Sequence, residues 1–212
     1  MRLLYVSEGS SDQGLRPHIE CIAAEAGHRI VLTTPQFARL SGRVGHSVVD
    51  KLRAARDLDG SYDVVLVHRD ADNQGADLRH AEISSAVAAV WQDMPHVPVI
   101  PIKSLEAWLL VDEQLIRLIA GNPCGKVDLK LPKGRAVERV ANPKQLLKET
   151  LAIASGLKGR KLEIFQKRFA QNRHRLLELM DPAGPVSEVP SWNAFVNSLR
   201  AVFQTPESSR DS

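Results

Sequence analysis

The chain has few cysteines, the residues that stabilise small secreted folds, and it lacks the long apolar runs of membrane proteins. Its two cysteines, Cys21 and Cys124, are too few for a disulfide framework or a metal-ligand cluster. No apolar run approaches the ~18 residues that a membrane span needs. The opening "MRLLYV" shows no signal-peptide pattern, and no loop of the G-x-x-x-x-G-K-[ST] type is present. We therefore expect a cytoplasmic protein with no membrane contact and no ATP-binding loop of its own.

Charge is unevenly distributed, although the net charge is only +3. Residues 121–180 contain 14 lysines and arginines against 5 acids, whereas the remaining residues contain 14 against 20. Such a basic segment is typical of a surface that contacts phosphate groups, and it is about as typical of solvated helices. The asymmetry therefore favours a nucleic-acid partner and leaves the second interpretation open.

Short apolar segments alternate with amphipathic ones over the first 120 residues, a pattern typical of a parallel α/β sheet. The segment "DVVLVH" is apolar almost throughout, as strands buried on both faces are. Ser104 stands before a strongly apolar segment in the position of a helix N-cap. The pattern predicts strands at 2–6, 29–34, 63–68 and 97–102, helices at about 14–26, 47–57, 77–94 and 104–120, and a loop over 35–46.

After residue 120 the chain becomes richer in glycine, proline and lysine, and three helices follow at about 143–154, 161–179 and 191–203. We predict a three-layer α/β domain over 1–120 with a mainly parallel central sheet of about four strands. A basic helical extension over 121–204 is expected to pack on it, with a flexible tail over 205–212.

Acidic residues follow three of the predicted strands. Glu8 and Asp12 come after the first strand, Asp70 and Asp72 after the third, and Glu106 after the fourth. Because functional groups of an open parallel sheet gather beyond the carboxyl ends of its strands, we expect these carboxylates to converge. Two of these residues also fit purely structural roles: Asp12 fits a helix N-cap, and Glu106 fits the first turn of a helix.

A cluster of carboxylates is unfavourable unless a positive charge lies among them. Hard oxygen ligands suit Mg²⁺ or Mn²⁺. One or two such ions can activate water and stabilise the leaving oxygen in a phosphodiester displacement. The cluster therefore predicts a metal site. Beside it, the role of His68 is open between orienting a substrate, moving a proton and packing at the strand end.

Three segments, "VSEGSSD", "VLVHRDAD" and "PIKSLEAWLLVD", resemble the motifs of Toprim-fold proteins as arranged in nucleases of the OLD (overcoming lysogenisation defect) type. The string "SLEAWLLVD", followed by "NPKQLLKE" and "PSWNAFVNSLR", is also similar to a bacterial family of uncharacterised Toprim-like proteins. The motifs lie within residues 6–112, and the later helices match loosely. Ser7 stands where that first motif usually has valine.

The resemblance implies a Toprim-like fold and a nuclease that takes part in phage defence, often beside an ATPase partner. It implies that Glu8 is a metal ligand and general base and that Asp70 and Asp72 bind metal. Asp12, Ser104 and Glu106 would serve a second metal. We accordingly expect Glu8, Asp70, Asp72 and Glu106 to be the catalytic residues. A homodimer is left open.

Basic residues alternate with apolar ones in "RKLEIFQKRFAQNRHRLL", so that the apolar face is expected to pack on the sheet domain and the basic face to point outward. Lys103, next to the acids, is a candidate phosphate contact. The predicted nucleic-acid-binding residues are Lys103, Lys161, Lys167, Arg168, Arg173 and Arg175.

Two other functions remain open. One is a non-catalytic binding or regulatory subunit that acts with an ATPase. The other is a phosphohydrolase of the haloacid dehalogenase sort, which also uses an Asp-x-Asp motif. That family places its aspartates after the first strand, whereas here they follow the third. Topoisomerase activity is disfavoured, because the only tyrosines, Tyr5 and Tyr62, lie in or beside predicted strands.

Overall fold

The computed structural model describes residues 1–37 and 44–204. Part of the predicted loop over 35–46 and the whole predicted tail over 205–212 lie outside these residues. In the described part of the chain, no helix has the length and apolar character needed to cross a membrane.

The protein is an α/β structure with a four-stranded, all-parallel sheet, as the alternation of the sequence predicts. The strand order is β2-β1-β3-β4. The strands are β1 (Arg2–Val6), β2 (Val31–Thr33), β3 (Val64–His68) and β4 (His96–Val99).

Helices flank the sheet, and short 3₁₀ turns connect several of them. The helices are α1 (Arg16–Glu25), α2 (Val48–Leu58), α3 (Ala76–Ala88), α4 (Glu106–Leu109), α5 (Glu113–Ile119), α6 (Pro143–Ser155), α7 (Gly159–Lys167), α8 (Phe169–Leu179) and α9 (Pro190–Gln204). A 3₁₀ helix, Ser10–Leu15, precedes α1.

Successive residues of β1 serve opposite faces of the sheet, because side chains alternate along a strand. Leu4 and Val6 pack in one cluster with residues of α2 and α3. Leu3 and Tyr5 pack in another with residues of α1, α4 and α9, including Trp108 and Trp192. The predicted helical extension thus supplies much of one layer and shares its hydrophobic core with the sheet.

Two long helices predicted from the sequence are each divided in two. The segment 104–120 forms α4 and α5, and Asp112 caps the second of them by accepting a hydrogen bond from the Leu115 N–H. The segment 161–179 forms α7 and α8, with the junction at Arg168. Ser104 is also not the cap we predicted: the N-cap of α4 is Leu105, which makes no side-chain capping bond.

Helix α8 approaches the 3₁₀ helix very closely, and Gly14 permits this. A Cβ atom at Gly14 would lie 3.1 Å from the carbonyl oxygen of His174 and 3.1 Å from Cβ of Leu177. His174 Nδ1 lies 3.1 Å from the carbonyl oxygen of Ser11. This contact brings the preceding residue of α8, Arg173, to the carboxyl ends of the strands.

Candidate functional site

A cavity of about 540 Å³ lies beyond the carboxyl ends of β1, β3 and β4. After β1 the chain adds β2 on one side of it and then β3 on the other. The order of the strands therefore reverses between β1 and β3, and open α/β sheets bind ligands at such a switch point. The structure brings all six predicted site residues to this one cavity: Glu8, Asp12, Asp70, Asp72, Ser104 and Glu106.

Glu8 and Asp70 connect the ends of β1 and β3. Glu8 Oε2 accepts a hydrogen bond of 3.1 Å from the Asp70 N–H, and Oε1 lies 3.2 Å from Arg69 Nη1. Lys51 of α2 donates to the carbonyl oxygens of Ser7 and Glu8 at 3.1 and 3.0 Å. The loop after β1 is therefore held in place from two sides.

His68 is buried beneath the cavity, between two carboxylates that line it. Its Nε2 is 3.1 Å from Asp70 Oδ1, and its Nδ1 is 3.3 Å from Asp12 Oδ2, the second contact being an ion pair without hydrogen-bond alignment. Burial disfavours the charged imidazole, but the two aspartates outweigh it and raise the pKa of His68 to about 9. His68 is therefore a buried cation at neutral pH.

Arg173 supplies a second internal cation. Its Nη1 lies 2.8 Å from Asp12 Oδ1, and its Nε donates to Glu106 Oε1 at 2.8 Å. All three residues are at most 6% exposed. The prediction that Arg173 faces outward is wrong, because the side chain points inward and neutralises two of the acids. Arg173 still lines the cavity, and its contact with nucleic acid stays a prediction.

Asp12 has both of the roles that the sequence left open, a cap of the local turn and a member of the acidic cluster. It caps the local turn by accepting a hydrogen bond of 2.7 Å from the Gly9 N–H, and it also faces His68 and Arg173. Burial opposes its charge, but those two cations and the Gly9 N–H hold the pKa of the Asp12 carboxyl well below its usual range.

The surroundings of Asp70 disfavour its charged form. Burial raises the pKa of Asp70, His68 lowers it, and the charges of Glu8 and Glu106 raise it further, so that the net shift is upward. Ser104 Oγ is buried nearby and has no hydrogen-bond partner within residues 1–37 and 44–204. An unsatisfied hydroxyl and a disfavoured carboxylate are both features that a bound cation would relieve.

Asp72 and Lys103 bring backbone strain to the cavity. Both have left-handed backbone conformations, with φ of 48° and 65°, and the Asp72 N–H donates to the Lys103 carbonyl oxygen at 3.2 Å. The loops after β3 and β4 are thereby joined beyond the ends of the strands. Such conformations are costly for lysine and concentrate at functional sites.

Four of the remaining predicted basic residues are exposed: Lys161 and Lys167 on α7, Arg168 at the junction and Arg175 on α8. The fifth, Lys103, is partly buried at the cavity, where its Nζ donates to Asn73 Oδ1. Sequence reasoning missed Lys144 at the start of α6, which also lines the cavity. The "NPK" triplet is a helix-start signal that could have located it.

The carboxylates are not arranged as a finished metal site. Across the described residues, no group of three or more His, Cys, Asp or Glu side chains is positioned to hold an ion. The oxygen donors have the right chemistry for Mg²⁺ or Mn²⁺, but several currently contact cations of the chain itself. Arg79, for example, lies 3.4 Å from Asp72 Oδ2.

Comparisons with protein-family models, with curated proteins and with solved structures give no match for this chain. The fold therefore defines the class of the molecule, a parallel α/β protein with a polar cavity at the switch point of its sheet.

Proposed function

We propose that this protein is a Mg²⁺- or Mn²⁺-dependent, Toprim-like nuclease that hydrolyses phosphodiester bonds of DNA or RNA. The observation that carries the proposal is the convergence of five carboxylates and a serine from three strand ends on one cavity. Lys103 and Lys144 line the same cavity and can contact phosphate oxygens there.

Glu8, Asp70 and Asp72 are the residues that would hold an ion. Asp12 and Glu106 are engaged by Arg173, so the proposal is for one ion, with the guanidinium compensating the other two acids. When bound, Mg²⁺ or Mn²⁺ lowers the pKa of a coordinated water and polarises a phosphoryl oxygen. Glu8, whose side chain is 38% exposed, would also accept a proton from water.

The test is cleavage of labelled single- and double-stranded DNA and RNA in Mn²⁺, with Glu8→Gln and Asp70→Asn as site variants. Asp77→Asn is the matched control, since it also removes one carboxylate but Asp77 does not line this cavity. We expect cleavage by the wild type and by Asp77→Asn, and its loss in both site variants. Equal cleavage by all four proteins would show that a contaminating nuclease acts and would refute the proposal.

A non-catalytic binding subunit acting with an ATPase is the second candidate. It is favoured by the internal ion pairs, because His68, Arg173, Arg69 and Arg79 make the acids tolerable without a metal. If Mn²⁺ leaves the melting temperature of the wild type unchanged and no substrate is cut, this candidate takes precedence. A cytoplasmic location is part of both proposals.

A further inference from the structure

A second cavity, of about 240 Å³, lies between α6, α7 and α8. We call it the α6–α8 groove and define it by Gln145, Lys148, Phe165, Phe169 and Asn172. Phe169 lines this groove and the acidic cavity as well. The two cavities are therefore neighbours, and a polymer that reaches the carboxylates can continue into the groove.

The groove differs from the acidic cavity in chemistry. Its floor carries two partly buried rings, Phe165 and Phe169, which pack against the hydrophobic core from one side. One exposed cation, Lys148, lines the groove together with one acid, Glu149. Two more exposed cations lie beside it: Lys144, one turn before Lys148 on α6, lines the acidic cavity, and Arg168 immediately precedes Phe169. Aromatic rings flanked by cations are the surface on which unpaired bases stack while the phosphates meet positive charge.

Lys148 covers the ring of Phe169 in this structure, with its Nζ 5.1 Å from the ring centroid. A cation–π contact at an exposed site is weaker than the stacking of a base on an aromatic ring. An incoming base can therefore displace the ammonium, and the freed Lys148 can then contact the phosphate beside that base.

We infer that the α6–α8 groove binds single-stranded nucleic acid and feeds it to the acidic cavity, with Phe169 as the stacking platform. The inference rests on the proposed function and narrows its substrate to an unpaired strand. A duplex keeps its bases stacked inside the helix, where the ring of Phe169 cannot reach them.

The experiment measures binding in EDTA, so that cleavage plays no part in it. Fluorescence anisotropy compares labelled oligo-dT and a duplex of the same length on the wild type, Phe169→Leu and Lys148→Gln. Arg53→Gln is the matched control, because it also removes one exposed cation, from α2 on the opposite face of the sheet.

We expect the wild type to bind the single strand at least about tenfold more tightly than the duplex. Phe169→Leu should weaken single-strand binding about tenfold or more. Lys148→Gln should reduce the slope of log affinity against log salt by about 1 relative to Arg53→Gln. If Phe169→Leu does not fold, as judged by circular dichroism, the inference is tested by the difference in salt slope between Lys148→Gln and Arg53→Gln.

Equal affinity for duplex and single strand, or wild-type binding by both groove variants, would overturn the inference. The two proposals fail separately. Selective single-strand binding that Phe169→Leu weakens, without any cleavage in Mn²⁺, would refute the nuclease and leave the groove standing. Cleavage of duplexes that Phe169→Leu does not affect would leave the nuclease standing and refute the groove.

Discussion

Replacing Arg173 by methionine tests the internal charge balance of the cavity most directly. The substitution keeps an unbranched apolar stem and removes the guanidinium that contacts Asp12 Oδ1 and Glu106 Oε1, each at 2.8 Å. Asp12 retains His68 as a partner. Glu106 loses the cation that contacts it in the described structure, and it is only 3% exposed.

The expected cost is large because a buried carboxylate is left uncompensated. Breaking a buried ion pair from one side typically costs about 3–5 kcal/mol. Arg175, two residues along the same helix, is exposed, so Arg175→Met should change the free energy of unfolding by no more than about 0.5 kcal/mol. Adding Glu106→Gln to Arg173→Met should recover part of the loss, with a coupling free energy of about 1–3 kcal/mol.

The assay is urea denaturation in metal-free buffer, followed by tryptophan fluorescence, since Trp108 and Trp192 are buried in the core beside the site. The four proteins of the Arg173–Glu106 cycle are compared with Arg175→Met. The reasoning fails if Arg173→Met is as stable as Arg175→Met, or if the coupling free energy is zero within error.

Two further predictions concern His68 and Lys103. The pKa of His68 is about 9 in the folded state and lies near 6.5 in the unfolded chain, so its contribution to stability is complete below pH 6.5 and is lost as pH rises through 9. The loss is worth about 3 kcal/mol. Urea titrations in EDTA at pH 6.5 and pH 9 should show that the free energy of unfolding falls more for the wild type than for His68→Gln. An equal fall in both proteins would contradict the raised pKa of His68. Lys103 has a left-handed backbone, which asparagine adopts more easily than lysine. Lys103→Asn should therefore raise the melting temperature by roughly 2–4 °C in a thermal scan. A lower melting temperature would show that the contacts of the Lys103 side chain stabilise the fold by more than its backbone conformation destabilises it.

The convergence of the acids was predictable because it depends on topology. Strands that alternate with helices imply a parallel sheet, and a parallel sheet brings its carboxyl ends to one edge. Glu8, Asp70 and Glu106 could therefore be placed together without knowledge of a single side-chain contact. The structure confirms the sheet and the shared cavity, while the metal and the chemistry remain predictions.

The orientation of Arg173 was missed although helical spacing indicates it. Arg173 stands four residues after Phe169 and three before Leu176, on the apolar face of the predicted helix. A polar/apolar pattern counts every arginine as a surface residue, whereas this one is buried by its two acidic partners. Asp112 gave a usable signal for the interruption between α4 and α5, since aspartate before an apolar run is a common N-cap.

The contact between Arg173 and Glu106 spans 67 residues of sequence, which has a consequence for synthesis on the ribosome. At the usual ~5–20 residues per second, Glu106 is made roughly 3–13 s before its partner. During that interval the nascent chain carries the acids of the strand ends without the guanidinium that neutralises two of them. The sheet edge can therefore reach its final form only after α8 has left the exit tunnel, so the site is completed late in synthesis.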